Sequence, residues 1–418
     1  MSKKLLITLA VGLFLTAGTL TAIRFAKGYR FSLKEKKVTE TGLLVANSFP
    51  TGASVYINDK LTTATNDTLN LPPGDYQVKI VKDGYIPWEK NLKIERELVT
   101  QTSTRLFPAV PSLNSLTYTG ALNVTPSPDG EKIAFVVASA SASPKNGLWV
   151  LNLTNKPLSF SKDSNQVSNH IPTFDLNQVK LVWSPDSSQV LAWNEKDSFL
   201  LDTNKLNDLT TQPDVTAKLS LILNDWEEQI RLKNKEKIIK LPEFFQEMAT
   251  TSAKNIFFSP DGEKLMYTAT ASATIPKNLI PSLPASNNQP EQRMIEPGNI
   301  YVYDLKEDKN FFITKSDPNQ DKKDKTAMEI RLENISNQYF PLNLQSVQWF
   351  PSSNHVIQID QDKIIVMEYD GTNQDSVYAG PFKNNFTFPW PDGSKIIILT
   401  SLNTDSPLPP NLYTIDLK

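Results

Sequence analysis

The chain has no cysteine and two histidines, His170 and His355, in 418 residues. The first absence excludes disulfides, thiolate nucleophiles and cysteine-ligated metals together. The second makes any zinc site depend on carboxylates, and neither histidine has a neighbour at ligand spacing. Both are expected to be surface or hydrogen-bonded residues, with no metal. Charge of one sign is also lacking: 43 Lys and Arg stand against 45 Asp and Glu, a formal net charge of -2. That balance gives no global attraction to nucleic acid. No G-x-S-x-G nucleophile elbow, Walker A sequence or dinucleotide-binding glycine pattern occurs. Asp317-Pro-Asn319-Gln-Asp321 begins like a calcium loop, but Lys322 replaces its turn glycine and Met328 its bidentate glutamate. A solvated charged loop is the better reading. No catalytic, cofactor-binding or metal residue is assigned, no cofactor is expected, and the chain is expected not to be an enzyme.

Long apolar runs are scarce too, with one exception. Residues 5–23 (LLITLAVGLFLTAGTLTAI) carry no charge. At roughly 1.5 Å per residue they reach across a bilayer core of roughly 30 Å. Residues 1–24 therefore read as a transmembrane helix or signal-anchor. A cleaved signal is the rival, but Leu20-Thr21-Ala22 is a poor A-x-A site. Lys3 and Lys4 before the span compete with Arg24, Lys27, Arg30 and Lys34 after it, so charge alone leaves orientation open. Gly18-x-x-x-Ala22 would permit close helix approach, a pattern frequent by chance. Residues 25–40 read as a basic juxtamembrane spacer.

What is abundant is short alternating runs separated by turn residues. In residues 41–98, LLVANS, ASVYIN, YQVKIVK and NLKIERE are punctuated by Pro-x-Gly, Asn-Asp and Pro-Pro-Gly-Asp. The motifs Pro50-x-Gly52-Ala53-x-Val55-Tyr56-Ile57, Leu71-Pro72-Pro73-Gly74-x-Tyr76-x-Val78-x-Ile80 and Lys82-x-Gly84-Tyr85-x-Pro87-Trp88 resemble the PEGA family. Thr51 departs from the usual Glu. The resemblance implies a small extracytoplasmic β-sandwich with no catalytic role. Residues 99–113 read as a linker.

From residue 114 an internal repeat appears. Aligned on proline, its copies are VTPSPDGEKIAFVV from Val124, LVWSPDSSQVLAWN from Leu181, IFFSPDGEKLMYTA from Ile256, VQWFPSSNHVIQID from Val347 and FTFPWPDGSKIIIL from Phe386. A third strand follows most copies, and PLSFS, FFITK and SVYAG suggest fourths. The repeat resembles the TolB-type, WD40-like propeller repeat, with Ser-Pro-Asp-Gly as the turn between two strands. Asp129, Asp186, Asp261 and Asp392 are thereby explained as turn residues. Ser187 and Ser352-Ser353 interrupt the pattern, so those turns are expected to differ. LSLIL, EQIRL and KIIKL, within residues 219–241, read as a divergent sixth blade. EFFQEMA reads as a short helix, and residues 269–298 as a mobile insertion. Trp149, Trp183, Trp193, Trp349 and Trp390 read as packing between blades; the alternative is a sugar-stacking platform.

The expected protein is all-β: one transmembrane helix, a PEGA-type sandwich, and a six-bladed TolB-like propeller over residues 114–418. The ring is expected to close by antiparallel pairing of residues 116–119 with residues 412–417. The expected function is an extracytoplasmic, membrane-anchored scaffold or binding module of the cell envelope. Its ligand would be an envelope protein or wall polysaccharide held at a propeller face. The orientation rests on what the two resemblances imply. The alternative is a carbohydrate-active or peptidase-like enzyme using loop carboxylates.

Overall fold

The computed structural model describes residues 3–26, 30–32, 37–154, 164–281, 287–316, 325–339, 347–360, 362–383, 386–402 and 409–418. Two compact units result: residues 1–107 with 282–290, and residues 108–281 with 291–418.

The first unit opens with helix α1, Lys3–Ala26. Its window Ile7–Arg24 is long and apolar enough to cross a membrane by length and composition. Leu13 and Phe14 are 71% and 78% exposed. Residues 25–40 contain a short antiparallel ladder, Arg30–Ser32 on Lys37–Thr39, that sequence reading did not find.

Two sheets follow. One orders Asp67–Leu71, Gly42–Phe49 and Val99–Arg105; the other orders Lys60–Ala64, Ser54–Ile57, Gly74–Val81 and Trp88–Ile94. Their inward residues, among them Leu44, Val55, Ile80 and Trp88, form one core. Burial alternates along Gly42–Phe49, as period-2 patterning requires. The 99–113 linker is corrected here. Val99–Arg105 pairs in parallel with Gly42–Phe49 over seven positions. Its even positions Thr100, Thr102 and Thr104 face inward. Threonine alternating with polar residues looked like a linker, yet β-branched threonine suits a half-buried strand. Thr102 both donates to the Asn47 carbonyl at 3.0 Å and accepts its N–H at 2.9 Å.

The second unit carries five antiparallel sheets of three or four strands, described here as blades. Each of the five copies of the repeat supplies a blade's first two strands. The first blade runs Leu122–Pro126, Lys132–Val137, Gly147–Asn152 and Ser164–Asn169. The fourth strand is Ser164–Asn169; PLSFS lies outside the described residues. The second blade has three strands, ending at Ser198–Asp202. FFITK and SVYAG do form the fourth strands of the third and fourth blades.

The sixth blade does not exist as a sheet. Residues 219–238 form helix α2 (Leu219–Ile238), followed by α3 (Glu243–Thr251) and, later, α4 (Ala327–Asn337). α3 is the EFFQEMA helix. The reason lies in period: buried Leu219, Leu223, Trp226 and Ile230 recur at helical spacing. They pack with Val182, Leu191 and Trp193 of the second blade and Leu332 and Ile335 of α4. Phe245 and Met248 of α3 pack on Tyr267, Tyr301 and Tyr303 of the third blade. The helices therefore take a blade's place between the second and third sheets. The first blade shares cores with the second and with the fifth, and the third shares one with the fourth. Gln348 of the fourth blade donates to Thr387 of the fifth. The packing runs in a cycle, which is a propeller arrangement.

The cycle closes as expected in kind, three residues earlier in place. Leu113–Ser115 pairs antiparallel with Asn411–Asp416, matching Leu113 to Ile415 and Ser115 to Tyr413. The N–H of Leu116 also donates to the Leu412 carbonyl at 2.8 Å. The fifth blade thus takes its outer strand from the chain segment before the first blade, removing an exposed edge.

The 269–298 insertion is partly ordered by pairing, contrary to the mobile reading. Ala273–Thr274 pairs with Met294–Ile295. Partly buried Arg293 bridges Asp308 at 3.0 Å and Glu291 at 2.9 Å. In the first unit, Gln289 donates to the Asn91 carbonyl at 3.0 Å. Residues 282–286 lie outside the described residues.

Candidate functional site

The repeat turns are built alike. In every copy the residue two after proline donates its N–H back to the residue before proline, as Gly130 does to Ser127 at 2.8 Å. That residue always has positive φ: Gly130 74°, Ser187 59°, Gly262 74°, Ser353 60° and Gly393 68°. The expectation that the serine turns differ is overturned. Serine adopts the left-handed region at a cost. In return, its hydroxyl accepts from a neighbouring blade's turn. The N–H of Asp129 donates to Ser187 Oγ at 3.1 Å, and that of Asp261 to Ser353 Oγ at 3.0 Å. Adjacent blades are stitched in pairs.

The repeat aspartates are turn staples, as read from the sequence. Asp129 Oδ1 accepts from the Ser127 hydroxyl at 2.5 Å and the Glu131 N–H at 3.0 Å. Asp186 and Asp261 repeat both contacts, and Asp392 accepts the Ser394 N–H. The Ser184 hydroxyl, opposed by partial burial, holds Asp186 below the usual carboxylate range.

The tryptophans pack, as expected. Trp183 Nε1 donates to the Thr125 carbonyl at 3.1 Å, and Trp349 Nε1 to the Phe257 carbonyl at 3.0 Å, each tying one blade to the preceding sheet. Trp193 packs on the helices, while Trp149 and Trp390 pack at the junction of the first and fifth blades. His355 is buried, with Nδ1 3.0 Å from Ser352 Oγ, and His170 is exposed. Among the described residues no group of three or more His, Asp or Glu side chains could hold a metal. Asp317 to Asp321 lie outside the described residues.

What sequence reading missed is where the turns converge. Four repeat prolines, Pro128, Pro260, Pro351 and Pro391, line one cavity of about 360 Å³. Phe257, Phe258, Met266, Trp349 and Phe388 supply most of its apolar wall. Asp129 is its one carboxylate, and both turn bonds above occupy its Oδ1. A second cavity of about 450 Å³ adjoins it and shares Pro128, Phe257, Phe258 and Tyr339. Its far wall comes from α2, α4 and the start of the third blade. There Lys233, Lys237 and Lys254 stand beside side-chain amides, and no Asp or Glu lines it. Two buried polar atoms at this site have no hydrogen-bond partner among the described residues: Asn337 Oδ1 and the Tyr339 hydroxyl. Burial, helped by the charge of Asp186, raises the Tyr339 phenol. The signal for this wall was present in the sequence. Thr326-x-x-Glu329 is a capping box, and both reciprocal bonds form at the start of α4.

Residues 41–109 match the PEGA domain model. The chain carries a PEGA domain. Solved structures similar to this chain include a TolB candidate from Agrobacterium tumefaciens, 11% identical with a TM-score of 0.21, covering 71% of this chain and 73% of that one. TolB from Acinetobacter baumannii is 11% identical with a TM-score of 0.21, covering 82% and 60%. An oligogalacturonate lyase solved with manganese is 11% identical with a TM-score of 0.24, covering 82% and 83%. No curated protein matches the chain. The propeller arrangement rests on the sheets themselves.

Proposed function

We propose that this chain is a membrane-tethered binding or scaffold protein outside the cytoplasmic membrane, and that the proline-lined cavity is its binding site. The carrying observation is that cavity. Turns from four blades and Tyr339 converge on it, and the buried Tyr339 hydroxyl in its wall has no hydrogen-bond partner among the described residues. The apolar exposed α1 supports tethering, and the PEGA domain supports an extracytoplasmic place. The non-catalytic reading is supported by the turn role of the repeat aspartates.

A photo-crosslinking residue at Tyr339, in the full chain in its native membrane, should capture envelope components. The same residue at Leu206, 57% exposed on the second blade, should not. Equal capture at both positions would remove the site. Protease added to intact cells should cut the chain after α1; protection until lysis would reverse the orientation.

The enzyme reading retains one specific observation. Asp375, on the outer strand of the fourth blade, is pushed up to about 7 by burial and by Glu368. An acid poised beside a second carboxylate is a hydrolase pattern. Neither residue lines the proline cavity. Glycan or peptide cleavage that disappears in Asp375→Asn would establish that reading and sink the non-catalytic one.

A further inference from the structure

The two adjoining cavities differ in chemistry, and together they specify a ligand class. On the helical wall, Lys233 and Lys237 are four residues apart and share one face of α2. Lys233 Nζ is held 3.3 Å from the Pro185 carbonyl, the repeat proline absent from the apolar wall. Lys237 Nζ stands 5.8 Å from the centre of the Phe258 ring. Lys254 adds a third cation, and no carboxylate lines this side to neutralise them. Coulomb attraction therefore selects an anion there.

The uncharged groups narrow the choice. Among the described residues, buried Asn337 Oδ1 has no donor and the Tyr339 hydroxyl no partner. Leaving such a group unmet is costly, so a ligand that meets it gains affinity. A bare carboxylate or phosphate cannot donate to Asn337; a hydroxyl can. Asn234, Asn255, Asn334 and Gln338 add further amides; Asn234 Nδ2 donates to Gln338 Oε1 at 3.0 Å, and the amide groups beyond that bond can meet ligand hydroxyls. The Phe257, Phe258 and Trp349 surface suits the C–H faces of a ring or polyol.

Resting on the binding reading above, we propose that this composite cavity binds an anionic, hydroxyl-rich polymer, an acidic carbohydrate chain. Lysines act as point charges without the planar selectivity of arginine, so the anion is a carboxylate or a phosphodiester.

The test uses the full chain in nanodiscs of zwitterionic lipid, titrated calorimetrically with four probes: an oligouronate, an oligo(glycerol phosphate), maltohexaose and hexaglutamate. One or both of the first two should bind, and which one does identifies the anion. Lys233→Gln with Lys237→Gln should weaken that binding about tenfold, and so should Asn337→Leu alone. Raising salt should weaken the wild type more than the double-lysine variant. Unchanged thermal melting would show that the variants fold. Preference for maltohexaose or hexaglutamate, no binding of either polyanion, or indifference to the lysines overturns the ligand class. If the Tyr339 crosslinks persist in that case, the binding reading survives; if they are absent too, both fail.

Discussion

Ser187 and Gly262 occupy the same turn position with nearly the same backbone, yet their reasons differ. Glycine is there because it takes positive φ without strain. Serine is there because its hydroxyl reaches the preceding blade's turn. A Cβ at Gly262 would meet nothing within 4 Å, so only the backbone conformation resists substitution. Gly262→Val should therefore cost about 1 kcal/mol or a little more, since a β-branched residue tolerates φ of 74° poorly. Denaturant unfolding would measure it, and an unchanged midpoint would show the turn to be misread. Asp375 makes a different prediction. Its folded-state value of about 7 lies above the roughly 3.9 of an unfolded aspartate, so the folded chain binds the extra proton between those limits. Stability is fully present below about pH 4 and is lost as pH rises through 7. Asp375→Asn should thus gain on the wild type between pH 5 and pH 8. Discounted for partial solvent screening, the gain should be on the order of 1 kcal/mol. A melting difference that ignores pH would refute it.

At the scale of elements, α2 shows how a strong repeat misleads. LSLIL, EQIRL and KIIKL look like strands when a sixth blade is wanted. Read as one segment, Leu219, Leu223, Trp226 and Ile230 make a helical stripe. The helix wins because that stripe buries against the second blade and α4, and Arg331 clamps Glu227 through two hydrogen bonds of 2.7 and 2.8 Å. Trp226 is 5% exposed in that junction. Trp226→Ala should cost about 3–5 kcal/mol by leaving a cavity between helices and sheet. If the loss is under about 1 kcal/mol, the helices do not seal the ring there. The bridge of partly buried Arg293 with buried Asp308 is a second such joint. Arg293→Ala should cost about 1–3 kcal/mol, because Asp308, at 5% exposure, loses its cationic partner while keeping the Asn278 N–H and the Tyr303 hydroxyl. Urea midpoints would decide it, and a surface-like loss of a few tenths would sink it.

For the whole molecule, the decisive strand is Asn411–Asp416. It lies between Lys395–Thr400 and Leu113–Ser115, so it joins the two ends of the ring. Deleting residues 411–418 removes two ladders and exposes two strand edges at once. The expected outcome is loss of the cooperative transition of the entire propeller, with the PEGA domain's own transition retained. Calorimetry of the full chain against the deletion would show this. A propeller transition that merely shifts by a few degrees would mean that closure is dispensable.

Local chemistry settled much of this protein before any coordinates. The apolar run of α1, the Pro-x-Gly and Pro-Pro-Gly turns of the PEGA domain, the three Pro-Asp-Gly repeat turns and the role of the repeat aspartates all follow from short-range φ preferences and period-2 burial. These are properties that neighbouring residues carry by themselves. Tertiary structure decided the rest. Val99–Arg105 is a strand only because Gly42–Phe49 lies beside it. Serine replaces glycine only because a neighbouring turn offers it a donor. Helices fill the sixth place because their apolar stripe finds the second blade. The two adjoining cavities exist only because folding gathers four distant prolines into one wall and sets the lysines of α2 beside them. Such contacts join positions far apart in the chain, and their energy depends on what each face meets after folding.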